Sequence, residues 1–219
     1  MRTIRVIGKG SLKIRPDMTR ISVTLTGRYG DYAETLSRAS EDTEALKELL
    51  SAFGFVRADL KTLNFDVDPE YESYLEKDEY KQRFVGYRYR HMMKIEFDSD
   101  NTRLGKILYA LANSSLDPEF NISYTVKDRE VAKNSLLAKA VSDAKEKAAV
   151  LAGAAGLTLL QIQTVDYSWG EINMETRPMN RMMAAKASMN ICSEDGYSID
   201  MEPDDIEVSD TVTVVWEIE

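Results

Sequence analysis

The stretch ISVTLTGRYGDYAETLSRASEDTEALKELLSAFG, residues 21–54, changes its period midway, and that change decides the fold class. Ile21, Val23 and Leu25 alternate with Ser22, Thr24 and Thr26, the period of two of a half-buried strand. After Asp31 the period lengthens. Leu36, Ala39, Thr43, Leu46, Leu50 and Phe53 recur at three- and four-residue steps, which predicts an amphipathic helix. Asp31 followed by Glu34 resembles a capping box at its start, and Gly54 marks its end.

The same two periods organise the rest of the chain. A shorter strand is expected around Thr3–Ile7. Leu63, Phe65 and Val67 alternate with polar residues up to Pro69, and 84–97 alternates again, so the two read as a hairpin. Its connection, about Glu70 to Arg83, is rich in Tyr and Glu and longer than a usual hairpin loop, and is expected to project into solvent or onto a neighbour. Leu104, Ile107, Leu108 and Leu111 predict a short helix, and Phe120, Ile122, Tyr124 and Val126 a strand. From Asp128 to about Ala155 a long helix carries Leu137, Val141, Ala144, Ala148, Leu151 and Ala155, with Ala140, Ala144 and Ala148 making one flat face. Gly156 stops it, a strand at 160–169 follows, and Ile206, Val208, Val212, Val214, Trp216 and Ile218 lie on one face of a closing strand. Between Gly170 and Asp205 there is no period, but Met174, Met179, Met182, Met183, Met189 and Met201 gather there. The resulting expectation is α+β: a two-layer sandwich of mixed or antiparallel sheets with three helices, in two intimately joined halves. Residues 1–83 with 205–219 form the first half, 84–169 a ferredoxin-like second half, and 170–204 a Met-rich loop or assembly segment.

Composition narrows the chemistry. With 28 Lys and Arg against 37 Asp and Glu, the net charge is -9, which opposes a nucleic-acid partner. One Cys and one His cannot build a zinc site of several Cys and His ligands or an internal disulfide. The chain shows no apolar run of about 20 residues, so no transmembrane segment is expected. Nor does it open on an apolar core of about 7–15 residues. As written it is expected in the cytoplasm, or in the periplasm or cell envelope where a leader has been removed.

No catalytic motif is found: Gly8-Lys9-Gly10 lacks a third glycine and leads into a strand, and nucleophile-elbow, P-loop and zincin patterns are absent. His91 shares a face with Tyr87, Tyr89, Met93 and Ile95, which favours a packed histidine over a general base. Arg88, Arg90, Lys94 and Glu96 on the opposite face read as solvated, or as a dock for an acidic partner. Asp66 with Asp68 and Asp204 with Asp205 lie outside any calcium-loop pattern, and Cys192 has no adjacent base. Trp169 and Trp216 read as core or interface anchors.

Val6-Ile7-Gly8-Lys9-Gly10, Arg15-Pro16-Asp17, Gly54 with Asp59 and Thr62, Pro69-Glu70-Tyr71 and Gly86-Tyr87 stand in order along the chain. With the Ala-rich 138–156 helix, the 177–185 segment and the closing strand, this ordered set resembles the SIMPL domain family, which includes bacterial periplasmic immunogenic proteins. The resemblance implies a two-part α+β fold, ring- or channel-like homo-oligomers in some members, a link to oxidative stress, and no established catalytic residues; separately, no cofactor is expected. The resulting expectation is a non-enzymatic, self-assembling interaction or scaffold protein, forming a homo-oligomer or binding another protein. Its assembly contacts would be Tyr71, Tyr74 and Tyr80, the Ala140, Ala144 and Ala148 face, and Met179, Met182 and Met183. A small-ligand-binding module and an unrecognised hydrolase centred on Asp66, Asp68 or His91 are the alternatives.

Overall fold

The structure is a computed structural model that describes residues 2–76, 79–167, 172–177 and 201–219. The elements run β1 (Arg2–Ile14), β2 (Met18–Tyr29), α1 (Tyr32–Ser51), β3 (Lys61–Glu76), β4 (Glu79–Asp98), α2 (Asn101–Ala112), β5 (Glu119–Thr125), α3 (Arg129–Ala154), β6 (Leu159–Tyr167), β7 (Glu175–Thr176) and β8 (Ile206–Ile218). One sheet has the order β1-β8-β6 and the other β3-β4-β2-β5-β7. With three helices against these antiparallel sheets, the α+β class is as expected.

The chain divides into two compact units. The first holds residues up to Asp17, Tyr124–Thr176 and Pro203–Glu219; the second holds Met18–Ser123 and Arg177–Glu202. This division differs from the expected halves. The first and last strands do stay together, paired from Arg2↔Ile218 to Ile14↔Ile206, but they group with α3. Residues 84–98 cannot separate from the strand before them, because β3 and β4 pair along almost their whole length.

In the first unit α3 lies very close to β1. Its buried residues, Leu136, Ala140, Ala144, Ala148 and Ala152, follow a strict four-residue step. A Cβ on Gly8 would collide with the Ala140 carbonyl oxygen and come within 2.6 Å of the Ala144 Cβ, and one on Gly10 would collide with the Leu136 carbonyl oxygen. Glycine on the strand and alanine on the helix together remove every side chain that would hold the backbones apart. This corrects the predicted stripe: Leu137 and Val141 pack at its flank, while Leu151 and Ala155 are exposed. Val6, Val212, Val214 and Trp216 complete that core.

In the second unit α1 and α2 bury their apolar faces with β2 and β4 in one cluster centred on Ile21, Leu25, Met93 and Ile95. The Asp31 carboxylate caps α1 by accepting from the Ala33 and Glu34 N–H groups, and Asp100 caps α2 in the same way at Thr102 and Arg103. Gly54, at φ 81°, turns the chain out of α1 where the sequence placed its end. Leu36 lies outside the buried stripe of α1, and Thr35 takes its place by donating its hydroxyl to the Asp31 carbonyl at 2.7 Å.

Candidate functional site

His91 is the one histidine of the chain, and the structure holds it by both ring nitrogens. It is 8% exposed on the apolar face of β4, where strand alternation placed it. Thr43 of α1 lies 2.9 Å from Nδ1 and Thr62 of β3 lies 2.9 Å from Nε2. The Thr43 hydroxyl hydrogen is committed to the Ala39 carbonyl at 2.7 Å, so Thr43 accepts from Nδ1–H. Nε2 is therefore the acceptor and takes the Thr62 hydroxyl hydrogen. Burial, helped by the charge of Lys47, holds the imidazole pKa below its ordinary value. A neutral ring with both nitrogens engaged ties α1, β3 and β4 together, and neither nitrogen is left for a substrate.

The carboxylate pairs are also occupied. Asp66 and Asp68 stand across the ladder from Arg90 and Arg88, and Asp66 accepts from the Asn64 amide. Asp205 lies 4.0 Å from Lys13. On the opposite face of β4, Arg88 pairs with Glu70, and Glu96 pairs with both Arg20 and Lys94. Burial works against the charge of Glu96, but the Arg20 hydrogen bond and charge outweigh it and lower its pKa. Among the described residues no group of three or more His, Cys, Asp or Glu is arranged to hold a metal.

The segment expected as a long loop is instead a two-stranded ribbon. β3 and β4 stay paired from Tyr71↔Phe84 out to Glu76↔Glu79, beyond the point where β2 ends its pairing at Tyr29↔Tyr87. A register shift between Glu70 and Tyr71, opposite Gly86 at φ 138°, marks where the ribbon leaves the sheet. Composition rich in Tyr and Glu points to a loop, whereas the alternation of these residues is that of a strand with two unlike faces. Register places Tyr71, Ser73 and Leu75 with Tyr80, Gln82 and Phe84 on one face, without a single charge. Glu72, Tyr74 and Glu76 share the other face with Glu79, Lys81 and Arg83. There Arg83–Glu72 (3.0 Å) and Lys81–Glu76 (2.5 Å) pair, and Arg83 lies over the Tyr74 ring.

The uncharged face is an aromatic row. Tyr71 meets Phe84 edge-on at 5.8 Å, Phe84 meets Tyr87 at 5.2 Å, and Tyr87 meets Tyr32, the first residue of α1, at 5.3 Å. Beyond Tyr32 no helix among the described residues covers it: Tyr71, Leu75, Tyr80 and Phe84 are all exposed, Tyr80 by 83%. The structure therefore brings Tyr71 and Tyr80 to one surface and turns Tyr74 to the other. Sequence reading missed Leu75 and Phe84, which pairing register alone reveals.

The remaining expected contacts fare differently. Ala140, Ala144 and Ala148 are 0% exposed against β1 and β8, so their flat face is used up inside the chain and has nothing to present to a second copy. Met179, Met182, Met183, Cys192 and Trp169 lie outside the described residues. Trp216 is a core residue.

The polar side of α3 reaches the edge of the sheet beneath it. β1 is an edge strand, and its outward backbone groups are met by α3 side chains at four-residue steps. Lys147 donates to the Ile7 carbonyl at 3.4 Å, Asp143 accepts from the Lys9 N–H at 2.6 Å, and Lys139 donates to the Ser11 carbonyl at 3.4 Å. The Lys147 hydrogen bond and the Lys9 N–H both lower the Asp143 pKa. Beside this rim an open basin of about 630 Å³ is lined by Lys9, Ser11, Lys13, Lys139, Glu207 and Ser209 among others. Its Lys13 is shared with Glu207 at 3.5 Å.

A family model named SIMPL and described as a protein of unknown function (DUF541) matches residues 4–216, nearly the whole chain. No curated protein matches the chain. No helix among the described residues is long and apolar enough to cross a membrane.

Proposed function

Since the chain belongs to the SIMPL family, whose description leaves its function open, we propose that it is a non-enzymatic, self-assembling interaction protein that docks through its aromatic ribbon. The observation that carries this reading is the uncharged face formed by residues 71–75 and 80–84, uncovered among the described residues, in a chain of net charge -9. Exposed aromatic residues gathered on a rigid two-stranded element are the usual anchors of protein interfaces. A face without charge meets its own copy without like-charge repulsion. The engagement of both His91 nitrogens supports a binding role over a catalytic one. The basin beside Lys139 supports the ligand-binding alternative less well, because it is open and its Lys13 is already paired.

Sedimentation or light scattering at micromolar concentration tests the proposal. The wild-type chain is expected above monomer mass, and Tyr71→Ser with Phe84→Ser is expected to lower that mass while leaving the circular dichroism spectrum unchanged. A wild-type chain found only as monomer, or an unaltered mass in the double variant, overturns it.

A further inference from the structure

Three long strands end a sheet on an open side, and two of them are guarded. The β1 edge is occupied by Lys139, Asp143 and Lys147. The β3 edge carries Pro69, which has no N–H to offer, between Asp68 and Glu70. β6 is different. It is the outermost strand of its sheet, and among the described residues nothing pairs with its far side. Residues 159–165, Leu-Leu-Gln-Ile-Gln-Thr-Val, contain no charge and no proline, so this edge lacks both of those guards.

The same seven residues are close to a palindrome. An isologous contact places residue i against j and j against i, so a strand that pairs with its own copy in antiparallel fashion must be compatible with its own reverse, and a near-palindrome without charges meets that condition. About Ile162 the pairs would be Ile162 with itself, Gln161 with Gln163, Leu160 with Thr164 and Leu159 with Val165. The faces agree as well. Leu159, Ile162 and Val165 pair with Ile218, Trp216 and Val214 of β8, on the side of the sheet that α3 covers. Gln161 and Gln163 both donate to Glu217, on the other side. Ile162, the Gln161 and Gln163 pair, and the Leu159 and Val165 pair would thus meet partners pointing to their own side, as antiparallel neighbours do. The strand's one charge, Asp166, would face Thr158 and not its own copy. Shifts in the β8 register flank Ile162 on both sides, so even the irregularities respect the same centre.

We infer that β6 pairs antiparallel with β6 of a second copy about a two-fold axis at Ile162, joining two three-stranded sheets into one of six strands. This contact deepens the self-assembly reading by naming a second surface for it, and it covers Ile162, which is 49% exposed in the single chain.

Single cysteines in a Cys192→Ser background test the axis directly, because cross-strand Cα separations of about 4.5–5.5 Å fall within disulfide range. Under mild oxidant, Ile162→Cys is expected to give a covalent dimer on its own. Leu159→Cys and Val165→Cys are each expected to stay monomeric alone and to cross-link when mixed. Ile162→Lys, which sets two like charges face to face, is expected to lower the native mass with an unchanged circular dichroism spectrum. Ile162→Cys that does not cross-link, or equal cross-linking at all three positions, overturns the inference. The ribbon reading is judged separately: if Tyr71→Ser with Phe84→Ser lowers the mass while Ile162→Cys fails to cross-link, the ribbon stands and the β6 axis falls. If Ile162→Cys cross-links in the ribbon double variant at unchanged mass, the axis stands and the ribbon falls.

Discussion

His91 shows how far one side chain can be read before its neighbours are known. Strand alternation placed it on the buried face of β4, but its two threonine partners come from α1 and β3, and no local pattern points to either. Those partners make it a pH-dependent fastening. Its folded-state pKa lies below the unfolded value near 6.5, so the unfolded chain takes up a proton first as pH falls. The stabilisation from the neutral ring is complete above about pH 6.5 and declines as pH drops through the window down to the folded value. Urea midpoints are therefore expected to fall between pH 7.5 and pH 5, with His91→Gln losing that part of the slope. An identical slope in the variant would show that other groups carry the dependence. Tyr124 is a contrasting case, since its hydroxyl is buried without a partner among the described residues and burial raises its pKa.

At the scale of elements, α1 and α2 were legible because caps, apolar period and stop signals agreed. α3 was legible in extent and shifted in face, and the reason lies in Gly8 and Gly10. The sequence showed two glycines in a strand and a run of alanines in a helix, with nothing to say that they meet. Their contact predicts the result of a small change. Gly8→Ala forces a methyl group into the Ala140 carbonyl and the Ala144 side chain, and is expected to cost about 1–3 kcal/mol, the usual range for overpacking a close contact. Gly153→Ala, where an added Cβ meets nothing within 4 Å, is the matched control and is expected to be neutral or stabilising. A loss at Gly153 comparable to that at Gly8 would mean that the close approach of α3 to β1 does not set the cost. The β3–β4 ribbon was misread for a related reason, since the unlike faces of 71–84 emerge only once pairing register is known.

Across the whole molecule, the net charge of -9 opposes the approach of copies, while in the proposed assembly the ribbon and the β6 edge would draw them together. Salt separates these contributions, because screening weakens the repulsion and leaves apolar burial nearly intact. Raising sodium chloride from about 20 to about 300 mM, a change in Debye length from roughly 20 to 6 Å, is expected to raise the native mass. A fall in mass with salt would mean that ion pairs hold the copies together. Class and family were legible from end to end because they depend on the order of elements. Surfaces were not, because each depends on which of two faces a strand turns outward.

The side chains that α3 lays along β1 also govern number. Under the proposed pairing, a sheet whose β1 margin is met by α3 side chains at Ile7, Lys9 and Ser11 and whose β6 margin joins its own copy would have a valence of one. When two such sheets join, the product shows only closed margins, and extension through this sheet stops there. More protein would then yield more pairs and not longer ribbons, the stoichiometry of that contact being set by a helix that takes no part in it.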